Sequence, residues 1–157
     1  MINSFDYKLV AHLMKQGRST WAELGSILGL SAPAIADRVH KLEENGVIKG
    51  YTTLIDPERI GLGIAALISV TLDRPEQRKQ FLDQIQNMTE ILECHHIAGE
   101  EDYVLKVRCP DTKRLEYLIS DELKAIPGVL KTRTTIILST IKETPILPLN
   151  LPKEDSK

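Results

Sequence analysis

At 157 residues the chain has room for one ordinary domain or two small ones, and 42% hydrophobic residues are enough for folded cores. No apolar run reaches the length of a membrane span, and the first residues lack the basic stretch and clean apolar core of a signal peptide. A net charge of −2 singles out no partner, and two cysteines, Cys94 and Cys109, are too few for a disulfide framework, which points to a reducing cytoplasm.

Helical spacing of Phe5, Leu9, Val10, Leu13 and Met14 predicts a first helix from Ser4 to about Gln16, with Gly17 placed as a C-cap glycine. Thr20 with Glu23 forms a capping box that starts a second helix, whose inner face is Trp21, Leu24 and Leu28. Gly29-Leu30 turns the chain, Ser31 caps a third helix, and Pro33 falls in its first turn, where a missing N–H costs little. Ile35, Val39 and Leu42 mark the buried side of that helix, which stops at Asn45-Gly46. Two helices joined by so tight a turn form a helix-turn-helix, the layout that lays a helix in the major groove of DNA. Val47 to Ile55 reads as extended, a wing strand or the exit from the domain, and Asp56-Pro57 opens a helical hinge from Glu58 to Leu62. Residues 1–50 carry a net +1 and the remainder a net −3, so a single copy should hold phosphate weakly and tight binding requires several copies acting together.

The second half has a different rhythm. A strand from Ala65 to Leu72 precedes a helix from Pro75 to Met88, with Phe81, Leu82 and Ile85 inward. Strands Ile91–Ile97 and Tyr103–Cys109 follow, then a helix marked by Leu115, Leu118, Ile119 and Leu123, then a long strand from Val129 to Ile141. The order βαββαβ predicts a ferredoxin-like domain, one antiparallel sheet with both helices on one face. A bare apolar opposite face would favour self-association, so a dimer through these sheets is expected. The fold class is therefore α+β, an N-terminal winged helix-turn-helix followed by a ferredoxin-like domain. The boundaries are 1–50 for the helix-turn-helix, 51–63 for strand and hinge, 64–142 for the second domain and 143–157 for a frayed tail.

Taken together, these residues resemble the feast/famine regulators, the Lrp/AsnC family of transcription factors. In the first domain the resemblance rests on Asp6, Gly17-Arg18, Leu30-Ser31, Arg38-Val39, Leu42, Gly46-Val47-Ile48, Gly50-Tyr51, Asp56-Pro57 and Gly61. In the second it rests on Gly99-Glu100-Glu101-Asp102-Tyr103 and Thr132-Arg133-Thr134. The resemblance implies dimers through the ferredoxin-like domain that assemble into octamers or larger rings. It also implies promoter binding by the helix-turn-helix, and an amino-acid effector held in a pocket between dimers, beside the loop Gly99–Asp102.

The expected DNA-contacting set is Ser31, Ala32, Pro33, Ala34, Asp37, Arg38, His40 and Lys41. As a reader of bases it is poor: the outward face offers no Asn or Gln for adenine and no central Arg for guanine. Lys41 and His40 can donate, Asp37 can accept from a cytosine amine, and Ala32 and Ala34 permit close approach. Arg38, on the flank, suits either a phosphate contact or an internal ion pair. The expected effector set is Gly99, Glu100, Glu101, Asp102, Tyr103, Thr132 and Thr134. Gly99 would adopt a conformation closed to other residues and help form an anion-binding nest for a carboxylate. Asp102 would pair with an ammonium, and the two threonines would supply hydroxyls.

Cys94-His95-His96 with Cys109 suggests a metal site, but strand alternation sends His95 to the opposite face from Cys94 and His96, so no metal is expected. No catalytic triad, P-loop or dinucleotide fingerprint stands out, and neither enzymatic activity nor a cofactor is expected. The leading reading is a cytoplasmic, nucleoid-associated prokaryotic regulator that binds double-stranded DNA and responds to a small molecule. The alternatives are an architectural DNA-wrapping protein without effector, and a metabolic sensor or enzyme with a vestigial helix-turn-helix.

Overall fold

Three capped helices open the chain. In the computed structural model, which describes residues 3–149, α1 spans Ser4–Lys15, α2 Trp21–Leu28 and α3 Ala32–Glu44. The Asn3 side chain accepts from the Asp6 N–H at 2.9 Å, and the Asp6 carboxylate accepts from the Asn3 N–H at 3.2 Å. Thr20 and Glu23 repeat this reciprocal box at the start of α2, at 3.2 and 2.7 Å. The box holds the Glu23 carboxyl below its ordinary range, chiefly through the Thr20 backbone N–H. Ser31 caps α3 by accepting from the Ala34 N–H.

Leu9, Leu13, Leu24, Ile35, Val39 and Leu42 form the buried core of this unit. Truncating a fully buried leucine such as Leu24 to Ala costs about 2–5 kcal/mol. The tight turn depends on two glycines. Gly29 is left-handed, with φ 75°, and ends α2, while Gly25 lies against the turn itself. A Cβ on Gly25 would stand 2.4 Å from the Leu30 carbonyl oxygen. Both Gly29 and Leu30 donate N–H groups to the Gly25 carbonyl, at 2.8 and 3.0 Å.

Ile55–Ile141 makes the second compact unit, and the described residues on either side of it group into the first. It contains β1 Ile64–Leu72, α4 Arg78–Ile85, β2 Ile91–His96, β3 Tyr103–Cys109, α5 Thr112–Tyr117 and β4 Val129–Ile137. A 3-10 turn at Pro75–Gln77 leads into α4, and α5 runs on into a π-helical stretch, Leu118–Leu123. The strands lie in the order β2-β3-β1-β4, and all three pairings are antiparallel. Phe81 and Ile85 of α4, with Leu115, Leu118, Leu123 and Ile126, pack on Ala66, Ile68, Val70, Tyr103, Leu105 and Val107. Both helices thus cover one sheet face, as the ferredoxin-like order requires.

Several sequence expectations need correction. Val47–Ile55 forms no strand, and no wing exists among the described residues. An extended run needs a ladder partner, and the described residues of the first unit supply none. Instead the Tyr51 hydroxyl donates to Glu43 of α3 at 3.0 Å. Burial, reinforced by that carboxylate, pushes the Tyr51 phenol up to about 12. Trp21 is 40% exposed, not an inner-face residue. Side chains in a helix tilt toward its N-terminus, and from the first position that direction overshoots the bundle. Gly17 takes no left-handed conformation, and α1 is capped by Gln16. The last strand ends at Ile137, because β1, its only neighbour in the sheet, pairs no further than Ala65.

The sheet face away from the helices is mixed, not apolar. Register places Leu67, Val104 and Ile137 there, but also Lys106, Arg108, Arg133 and Glu93. Glu93 accepts from Lys106 at 3.2 Å and stands 3.0 Å from His95. These two partners hold the Glu93 carboxyl below its usual range, His95 first.

Candidate nucleic-acid interface and effector cavity

Along α3, Ser31, Pro33, Asp37, His40 and Lys41 are exposed, while Ala32, Ala34 and Arg38 are half-buried. The face carries both charges. His40 lies 3.3 Å from Glu44 and 3.9 Å from Glu43. Lys41 has no ion-pair partner among the described residues, which leaves its ammonium available to a phosphate. Of the two roles open to Arg38, the structure contains the internal one. Its guanidinium donates to Asp6 at 3.0 Å and sits 4.6 Å above the Phe5 ring. Asp6 therefore caps α1 and ties it to α3, fixing the angle at which α3 is presented. Ala34, Asp37 and Lys41 share a shallow groove with Asn3, Asp6 and Arg38.

The expected effector residues do not act as one group. Asp102 is built into the sheet: its N–H donates to the Val70 carbonyl at 3.0 Å, and its carboxylate accepts from the Leu72 N–H at 2.7 Å. Its carbonyl accepts from Ile97 at 2.9 Å, which closes the loop. Glu101 pairs at 2.7 Å with Arg133, a residue of the helix-free face. Glu100 and Gly99 are exposed, and Gly99 has no positive φ, so the strained conformation expected for a nest is not present there. The Ile97–Asp102 closure spans the turn without a left-handed residue.

Tyr103 is the fully buried residue of that set, and it faces the helices. It stands opposite Val70, and Val70 stands opposite Thr132, so His96, Tyr103, Val70 and Thr132 form one cross-strand row. Thr134 lies one step along, opposite Ile68. Paired residues share a face, so both threonines lie on the helix-bearing side, about 10 Å from Tyr103 across β1.

Asp102 and Tyr103 help to line a cavity of about 300 Å³, together with Leu72, Arg74, Pro75, Arg78 and His96. The Tyr103 ring packs 5.0 Å from Phe81 and 5.1 Å from His96. Its hydroxyl is buried with no hydrogen-bond partner. Leaving such a group unsatisfied costs about 1–3 kcal/mol, which a ligand acceptor would restore. The sequence reading missed Arg74, Arg78 and His96. Period-two alternation did place His96 opposite His95, and the register confirms that it lies beside Tyr103, but nothing local in the sequence joins it to Arg78.

Cys94 and His96 share the helix-bearing face and His95 the other. Among the described residues no group of three His, Cys, Asp or Glu side chains could hold a metal ion. Both cysteines are unpaired, and burial raises both thiols above their ordinary value.

A helix-turn-helix joined to a ferredoxin-like domain with a ligand-sized cavity defines a DNA-binding regulator of transcription. The chain belongs to the Lrp/AsnC family: its residues 2–43 match the AsnC-type helix-turn-helix domain, and residues 65–147 match the Lrp/AsnC ligand binding domain. It is 34% identical over 145 residues to the leucine-responsive regulatory protein of Escherichia coli K12, covering 91% of this chain and 88% of that one. A transcriptional regulator of Neisseria meningitidis solved as a complex with L-methionine superposes with a TM-score of 0.90 at 30% identity, covering 96% and 98% of the two chains. The feast or famine regulatory protein of M. tuberculosis complexed with L-methionine gives 0.87 at 34%, covering 97% and 100%. No helix among the described residues is long and apolar enough to cross a membrane.

Proposed function

We propose that this protein is a transcriptional regulator whose grip on double-stranded DNA is set by an amino acid bound in its second domain. The observation that carries this reading is the buried, unpartnered Tyr103 hydroxyl in a cavity beside the loop Gly99–Asp102, within a family of such regulators. Ser31, Ala32, Pro33, Ala34, Asp37, His40 and Lys41 form the DNA-facing surface, with Arg38 as its support. Asp102 and Tyr103 form the effector site, with Thr132 and Thr134 at its far side and Glu100 and Glu101 on its rim. The protein works as a homodimer that assembles into octamers or similar rings in the cytoplasm, on the nucleoid, and it is not an enzyme. Unpaired cysteines accord with that compartment.

The mechanism follows from linkage. An effector changes DNA binding only through different affinities for two assemblies, and DNA must change effector affinity by the same factor. The near-neutral face of α3 makes multivalent binding central, since spacing several copies raises avidity without new contacts. A thermal-shift screen of the twenty amino acids, followed by light-scattering mass with any hit, tests the reading. At least one amino acid should raise the melting temperature and change the assembly. No shift with any of them would leave an architectural DNA-wrapping protein as the better description.

A further inference from the structure

The cavity beside Tyr103 has a charge pattern that a neutral amino acid leaves half used. Two arginines, Arg74 and Arg78, line it with a single acidic residue, Asp102. One oxygen of Asp102 already accepts from the Leu72 N–H, and the other accepts no hydrogen bond among the described residues. Arg74 pairs with the exposed Asp73 through its Nε, at 3.4 Å, and its own side chain is 73% exposed. Arg78 makes no ion pair among the described residues. The Tyr103 ring is clamped between Phe81 and His96, so its buried hydroxyl cannot swing out to water for a partner.

The zwitterion of a neutral amino acid brings one ammonium for Asp102 and one carboxylate for a single arginine. A second carboxylate would match the second arginine, and Arg binds carboxylates with paired, charge-assisted hydrogen bonds. A cavity of about 300 Å³ is at the small end of ligand sites, which suits a free amino acid better than a nucleotide or peptide. We propose that the effector of this protein is a dicarboxylic amino acid, L-glutamate or L-aspartate. Asp102 receives its ammonium, Arg74 and Arg78 take its two carboxylates, and the Tyr103 hydroxyl donates to one carboxylate oxygen. This rests on the reading of the chain as an amino-acid-responsive regulator, and it differs from the methionine found with two structural neighbours.

Calorimetric titration of the full-length protein with L-glutamate, L-aspartate, L-glutamine, L-asparagine, L-leucine and L-methionine tests it. Glutamate or aspartate should bind about tenfold or more tighter than its amide, the worth of roughly one charge-assisted bond. Of Arg74→Gln and Arg78→Gln, one should erase that preference, bringing each dicarboxylate and its amide to within about threefold of each other, and the other should weaken both. Tyr103→Phe should weaken glutamate or aspartate about tenfold, yet leave the ligand-free melting temperature unchanged or higher, because an orphaned hydroxyl is removed. A hydroxyl that merely supported the fold would lower it. If glutamine, leucine or methionine binds as tightly as the dicarboxylates, the proposed selectivity is wrong while the amino-acid response stands. If none of the six binds and the twenty-member screen is also silent, the functional reading itself fails.

Discussion

Asp102 allows its structural role to be separated from its proposed effector role, because both are assigned to one carboxylate. Its bond to the Leu72 N–H, at 2.7 Å, satisfies a backbone donor at the point where β3 has not yet begun. Asp102→Ala removes a hydrogen bond to a charged group, worth about 1.5–3 kcal/mol, and strands that donor. At the midpoint of ~2 kcal/mol, and ~4–8 °C per kcal/mol for a domain of this size, the second unit should melt roughly 8–16 °C lower. Asp102→Asn keeps an oxygen able to accept from Leu72 but carries no charge, so it should lose less than about 1 kcal/mol. Its effect should fall on the ligand: the amino-acid-induced thermal shift should disappear in Asp102→Asn while the unliganded fold persists. Calorimetric melting of both variants, with and without effector, reads both quantities. A wild-type melting temperature for Asp102→Ala would refute the structural assignment, and a full ligand shift in Asp102→Asn would remove the carboxylate from the binding site.

Gly25→Ala should destabilise the first unit by about 1–3 kcal/mol, since its Cβ meets the Leu30 carbonyl and neither backbone segment can yield cheaply. The single tryptophan, Trp21, sits in that unit, so its fluorescence during urea unfolding checks the shift. Lys41→Ala should weaken cognate and random DNA alike and lower the salt slope by about 1, in anisotropy titrations at several salt concentrations. A loss confined to one base position would mean that Lys41 reads sequence. Acid should loosen the second unit through Glu90. Burial raises its carboxyl, but its own backbone N–H and Arg114 outweigh that and hold it below the ordinary 4.5. A depressed folded pKa gives stability that is complete above about pH 4.5 and lost as pH falls further. Glu90→Gln should therefore flatten the decline of urea midpoints below pH 4.5, and an unchanged slope would exclude Glu90 as its source.

Local signals were legible wherever one short stretch held both partners of an interaction. Both Thr20-Glu23 and Ser31-Pro33 announce helix starts, because each cap is closed within three residues. Alternation in β3 is likewise plain, with Tyr103, Leu105, Val107 and Cys109 all buried. Signals failed where a distant partner decides. Val47–Ile55 has strand-like residues, but a ladder needs a second strand, and the described residues of the first unit form none. Arg38 stayed open between a phosphate contact and an internal ion pair because its acceptor, Asp6, lies 32 positions away. The proposed effector cavity was half visible: Asp102 and Tyr103 carried the resemblance, whereas Arg74, Arg78 and His96 reach it only through the crossover of α4 and the pairing of β2 with β3. Gly99 drew attention as a glycine in an acidic loop, yet the turn closes through Ile97 and Asp102 and asks nothing unusual of it.

The central claim is that ligand and DNA are coupled through one protein. Fluorescence anisotropy at fixed salt, with duplexes selected by the protein from a random pool and with scrambled controls, measures that coupling directly. The account predicts that a saturating amino acid identified by thermal shift changes affinity for the selected duplex about 5–150-fold, the usual span of allosteric coupling. Affinity that stays the same with and without that ligand, on DNA the protein does bind, would contradict it.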